Sequence, residues 1–140
     1  MTRGTIRNKK QRLQIIDMSK LRYGNMTPTD LDAMIEYKNA GFVLIEVKFN
    51  SEFYTLKGQK LAHERMVDAL WIAKKPAVLL FASHNTPLNS EVKLDTCTVK
   101  WFRYTGRWRK GNNATVKQMV DSFIEHLDKL IEDEAMTFSA

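Results

Sequence analysis

The sequence predicts an α/β domain in which helices flank a mixed β-sheet, with the order strand-strand-helix-strand-strand-helix. Three observations carry this. Residues 30–37 alternate at period two and meet a β-branched, aromatic run at 42–49 across a short turn. The apolar run Ala77–Ala82 follows a helical stretch closed by Pro76, as an inner strand reached by a crossover does. The stretch Thr115–Ile131 places Val116, Met119, Val120, Phe123, Ile124, Leu127, Leu130 and Ile131 on one wide helical stripe.

Taken in order, residues 1–12 form a basic arm with Arg3, Arg7, Lys9, Lys10 and Arg12 and no acid. Such an arm stays solvated unless a polyanion orders it. The domain itself is expected over 13–140. Leu13–Tyr23 has little periodicity and reads as a short helix running into a strand. Pro28 removes a donor and extends Thr27, so the next element starts from a turn. From Asp30 to Tyr37, Leu31, Ala33, Ile35 and Tyr37 alternate with Asp30, Asp32, Met34 and Glu36. Lys38-Asn39-Ala40-Gly41 is the turn, with Asn39 and Gly41 tolerating positive φ. Phe42–Phe49 completes a hairpin.

Past a polar loop at Asn50-Ser51-Glu52, Leu56–Lys75 reads as a helix whose inward face is Ala62, Met66, Ala69, Leu70 and Ala73, with Gln59 one turn earlier. Residues 84–95 are loop. Cys97–Tyr104 alternates, Cys97, Val99, Trp101 and Arg103 against Thr98, Lys100, Phe102 and Tyr104. Gly106 then turns the chain so that Arg107–Lys110 pairs back. The acids Glu132, Asp133 and Glu134 read as a fraying tail beyond the last helix.

Composition bounds the function. The chain has 140 residues, 44% hydrophobic and 27% charged, so wholesale disorder, collagen and a coiled-coil rod are excluded. No stretch is long and apolar enough to span a membrane, and the N-terminus lacks a secretory apolar run. Cys97, the only cysteine, forms no internal disulfide, so a reducing, cytoplasmic setting is expected. The net charge of +6 favours a polyanionic partner, with nucleic acid first.

The chemistry concentrates in the hairpin. Glu46 and Lys48 are two apart on one strand and share a face with Phe42 and Leu44. A turn centred near Asn39 or Ala40 sets Asp32 opposite Glu46 or Lys48, about 4.5–5.5 Å away at Cβ. Two carboxylates that close share a divalent cation, and hard oxygen ligands suit Mg²⁺ or Mn²⁺. An adjacent ammonium group can hold a water or oppose charge developing on a phosphate. Glu-x-Lys alone is more often a solvated cross-pair. The upstream Asp32 and the polar Gln59 on a core-facing helical position raise its weight, the competing reading of Gln59 being a satisfied cap.

Three further groups complete the candidates. His84 is a candidate proton donor at a phosphate, although a loop histidine is more often simply exposed. His63 and His126 read as surface or satisfied helix residues. Trp101, Arg103, Tyr104, Arg107, Trp108, Arg109 and Lys110 interleave aromatics with cations, a mixture that tracks phosphates and stacks bases. The competing reading makes Trp101 and Trp108 core. Nucleic-acid contacts are therefore expected from Lys9, Lys10, Arg12, Arg103, Arg107, Arg109 and Lys110.

Thr27-Pro28-Thr29-Asp30-Leu31-Asp32, then Ile45-Glu46-Val47-Lys48, then Gly58-Gln59, resembles the PD-(D/E)XK nuclease superfamily. More narrowly it is similar to small phage-type and Holliday-junction-resolvase-like nucleases, over about residues 17–104. The resemblance implies a restriction-endonuclease-like fold and a Mg²⁺-dependent (or Mn²⁺-dependent) deoxyribonuclease. Asp32 and Glu46 would bind the ion with the Val47 carbonyl, Lys48 would position or activate water, and Gln59 would match the family's polar helix residue. Asp30 competes with Asp32, which lies nearer the level of Glu46. The first-helix glutamate of many members has no counterpart, since Asp17 is the only acid in residues 1–29. A homodimeric endonuclease on branched or structured DNA in phage recombination, repair or packaging is the specific expectation, placing it in the host cytoplasm. The alternatives are an inactive nuclease-fold binder of nucleic acid or protein, and an RNA-processing factor.

Overall fold

The computed structural model describes residues 14–50 and 57–139, with side chains over 14–50 and 61–135. The basic arm with Lys9, Lys10 and Arg12, the loop residues Ser51 and Glu52, and the side chain of Gln59 lie outside the described residues. Five strands form one mixed sheet in the order β1-β2-β3-β4-β5. They are β1 (Ala33–Tyr37), β2 (Gly41–Phe49), β3 (Ala77–His84), β4 (Thr98–Tyr104) and β5 (Arg107–Lys110). Helix α1 (Lys57–Ile72) connects β2 to β3, and α2 (Val116–Ser139) follows β5. β2 and β3 are parallel, and every other pair is antiparallel. The predicted mixed sheet with flanking helices is the one observed.

The helices cover opposite faces because the strands alternate. Val43 and Ile45 of β2, with Val78, Leu80 and Ala82 of β3, pack against Val116, Val120, Phe123 and Leu127 of α2. Leu44, Leu79 and Phe81 point the other way and pack with Val67 of α1. At about 25 cal/mol per Å² of apolar surface removed from water, these two layers supply the main stabilisation. Tyr37 ties β1 to α2 by donating its hydroxyl to Asp128 Oδ1 at 2.7 Å.

The β1–β2 turn spans Lys38–Ala40, between the paired residues Tyr37 and Gly41. Lys38 and Asn39 take the positive φ angles, 50° and 58°. Gly41 is needed for another reason than the one expected. A Cβ there would lie 2.7 Å from the Pro76 carbonyl oxygen and 2.8 Å from a Leu127 methyl.

Several expectations are corrected. Residues 14–23 form neither helix nor strand, only an isolated bridge between Tyr23 and Met26. The strand expected from Asp30 begins at Ala33. Helix α1 turns His63 and Val67 inward and leaves Met66, Ala69 and Ala73 exposed, so its buried face is rotated from the predicted one. The cause is polar residues on the inner side: His63 is buried, and Glu64 and Asp68 are half-buried and paired. Helix α2 runs on through Glu132–Glu134 to Ser139, so those acids are not a tail.

In β4 the alternation breaks. Phe81 pairs with Trp101 but Ala82 pairs with Val99, leaving Lys100 as the extra residue of a bulge. Val99 and Cys97 therefore face α2, whereas Trp101 faces α1. Gly111 lets the chain pass close beside this bulge, its N–H donating to the Lys100 carbonyl. A Cβ at Gly111 would lie 1.9 Å from the Val99 oxygen.

Candidate functional site

The hairpin register places Ala33 opposite Ile45, so Asp32 falls level with Glu46 and on the same face. Here side chains continue the ladder where backbone pairing stops. The Asp32 N–H donates to Glu46 Oε1 at 3.0 Å, and the Val47 N–H donates to Asp32 Oδ2 at 2.8 Å. This reciprocal clasp explains why β1 begins only at Ala33. It also holds the two carboxylates together across the two chain segments.

Lys48 projects to the same side, its Nζ 3.6 Å from Glu46 Oε2. Glu46 is only 2% exposed, whereas Asp32 is exposed and the Lys48 side chain is 22% exposed. The cluster thus opens to solvent on the Asp32 and Lys48 side. Burial, and then the charge of Asp32, push the Glu46 carboxyl up to about 7; the Asp32 N–H and the Lys48 ammonium act in the opposite direction.

Helix α1 closes the site from above with His63, which its helical position alone marks as a surface or satisfied residue. His63 is 2% exposed, and its Nε2 lies 2.9 Å from the Asp30 carbonyl oxygen. Only a protonated Nε2 can donate to that oxygen, which leaves Nδ1 facing Glu46 Oε1 at 3.8 Å. Nδ1 is buried and has no hydrogen-bond partner among the described residues. His63 thereby links α1, the segment before β1, and Glu46. The sequence signal for it is its place four residues after Gln59 on one helical face.

The donor chemistry fits a hard divalent cation. Asp32 and Glu46 each accept a backbone N–H from the other's chain segment, and Glu46 is costly to ionise because of burial and the Asp32 charge. Among the described residues no group of three or more His, Cys, Asp or Glu side chains is arranged to hold a metal ion. Mg²⁺ is commonly held by one or two carboxylates and keeps several waters, so the pair matches that mode. Asp32 engages Glu46 through its backbone N–H. Asp30 contributes its carbonyl to His63, and its negative charge adds to the upward push on Glu46.

The other candidates divide. His84 lies level with Phe49, on the α2 face by the alternation of β3, and the two rings meet edge to face at 5.5 Å. It does not join Glu46 and Lys48. Arg103 is on the α1 face, but it makes two hydrogen bonds of 2.7 Å to Asp68 and an ion pair of 3.0 Å to Glu64. That engagement makes it a brace between β4 and α1, whereas the sequence predicts it among the nucleic-acid contacts. Trp101 and Trp108 pack with the α1-side core; Trp108 stacks on Phe81 at 5.2 Å and donates Nε1–H to Glu64. Both are partly buried against that core. Lys110 pairs with Trp101 and shares that face, whereas Arg107 and Arg109 pair with Tyr104 and Phe102 and face the α2 side. All three are exposed, but they form no single basic stripe.

Among the described residues no helix is long and apolar enough to cross a membrane. No family model matches the chain, and no curated protein or solved structure matches it either.

Proposed function

We propose that this protein is a divalent-metal-dependent nuclease that hydrolyses phosphodiester bonds in DNA, built on a restriction-endonuclease-like variant of the mixed sheet. The clasped Asp32–Glu46 pair with Lys48 beside it supports this most strongly. Asp32 and Glu46 would hold Mg²⁺ or Mn²⁺, together with the Val47 carbonyl. When bound, such an ion supplies Lewis acidity to a phosphoryl oxygen and to water.

The chain's own groups do the rest. Asp32 and Glu46 are fixed before any ligand arrives, because backbone N–H groups hold one oxygen of each. Lys48 presents an ammonium group at the solvent side of the pair. There it orients a water for in-line attack and opposes negative charge growing on the phosphate. His63 keeps water from the inner side of Glu46. The net charge of +6 draws the polyanion towards the protein. The full reading is an endonuclease acting on branched or structured DNA as a homodimer.

The test incubates pure protein with linear, single-stranded and four-way-junction DNA, in Mg²⁺ and in EDTA. Cleavage is expected in Mg²⁺ alone. Glu46→Ala should abolish it and leave binding intact or tighter, since a negative charge leaves the phosphate site. Equal cleavage by wild type and Glu46→Ala would refute the site. DNA binding with no cleavage under any condition would assign the rival role of a nuclease-fold binder.

A further inference from the structure

A second polar pocket, of about 230 Å³, opens where β2 and β3 end and β4 begins. It is lined by His84, Lys93 and Lys100, with Ser83, Thr98 and Asn50 among the remaining groups. No carboxylate is among the described residues that line it. The lining side chains are rich in hydrogen-bond donors. The Thr86 N–H donates to His84 Nδ1 at 3.2 Å, so the neutral ring carries its proton on Nε2. The bulge that reverses the alternation of β4 lies at Lys100 and leaves that side chain exposed at the pocket. Lys93 is exposed as well, while its carbonyl anchors the short turn Leu94–Thr96 by accepting from the Thr96 N–H and hydroxyl. Two ammonium groups, an imidazole N–H and several hydroxyl and amide donors, with no carboxylate in the described lining and Asp95 acting from beside Cys97, make an anion site.

Its position relates it to the clasped carboxylates. Lys48 pairs with Ser83, and Ser83 pairs with Thr98. The pocket thus begins one strand from Lys48. From strand rise and strand spacing, Ser83 lies on the order of 8 Å from Glu46 along the sheet. We infer that this pocket binds a backbone phosphate of the polynucleotide, next along the strand from the phosphate held at Asp32 and Glu46. The inference rests on the nuclease reading for the identity of its ligand, and on the pocket's own donors for its charge preference. It also gives His84 a place as a phosphate contact away from the reacting centre.

The experiment measures binding of a labelled DNA duplex as a function of salt, in EDTA so that no strand is cut. For wild type, affinity falls with salt as counterions are released. Lys93→Ala/Lys100→Ala should weaken binding and reduce the slope of log K against log salt by about two, one for each ammonium group removed from a phosphate. Lys93→Arg/Lys100→Arg should keep the slope. An unchanged slope in the alanine pair, with its thermal stability intact, would overturn the inference. So would inorganic phosphate binding more tightly than the duplex at equal phosphate concentration. The two claims separate cleanly: a reduced slope without Mg²⁺-dependent cleavage keeps the anion site and refutes the nuclease, whereas cleavage with an unchanged slope does the reverse.

Discussion

Replacing Glu46 by Gln should stabilise the metal-free protein at neutral and alkaline pH while removing its response to Mg²⁺. Glu46 is 2% exposed and its carboxyl is pushed from 4.5 up to about 7, chiefly by burial and next by the charge of Asp32. At about 1.4 kcal/mol per tenfold change in proton affinity, ionising it in the folded state costs about 3 kcal/mol. The folded state binds this proton more tightly than the unfolded chain. Its stabilising contribution is therefore full below about pH 4.5, is lost as pH rises to about 7, and stays lost above that. A neutral Gln keeps an oxygen for the Asp32 N–H and carries no such dependence. At pH 8 in EDTA, Glu46→Gln should gain up to about 3 kcal/mol over wild type, or about 10 °C in Tm for a domain of this size. At pH 4.5 the two should nearly coincide. Thermal unfolding across this range reads the difference directly, and Mg²⁺ should raise the Tm of wild type alone. Identical pH profiles for the two proteins would refute the placement of Glu46 as a buried carboxylate that is costly to ionise.

Three other substitutions address the ammonium group, the brace and the bulge in turn. Lys48→Met should lower the cleavage rate by about 10²–10³ while leaving Mn²⁺ binding in place, measured by single-turnover cleavage and metal titration. Arg103→Ala removes the guanidinium that pairs with Asp68 and Glu64 and leaves Glu64 only its bond from Trp108; it should cost about 1–3 kcal/mol in denaturant unfolding and leave DNA affinity unchanged. Gly111→Ala drives a methyl into the Val99 carbonyl and should destabilise by about 1–3 kcal/mol, seen as a lower urea midpoint.

The hairpin is legible in the sequence because period-two alternation and a three-residue turn leave one register. Slipping it by one would send Val43 and Ile45 to the wrong face. The approach of Asp32 to Glu46 follows from that register, although the side-chain hydrogen bonds that lock it do not show in the pattern. Periodicity misplaces the inner side of α1 because its inward positions carry His63 and pair Glu64 and Asp68 with Arg103, whereas Met66 and Trp71 lie exposed. Apolar periodicity cannot see polar residues that are buried by pairing. The same pairing holds the Arg103 guanidinium against α1. The bulge at Lys100 inverts the expected faces of β4, and it leaves no mark in the sequence apart from Gly111, whose close approach depends on tertiary packing. His84 belongs to the end of β3 and not to the loop expected there, and strand alternation carries it to the face opposite Glu46.

Calorimetric titration of Mn²⁺ into wild type and Asp32→Asn tests most directly whether the two carboxylates hold a common ion. Saturable binding to wild type is expected, with proton release to the buffer near pH 7 as the cation displaces the Glu46 proton, and binding should be abolished or greatly weakened in Asp32→Asn. Equal Mn²⁺ affinity in the two proteins, or no binding to folded wild type, would contradict it.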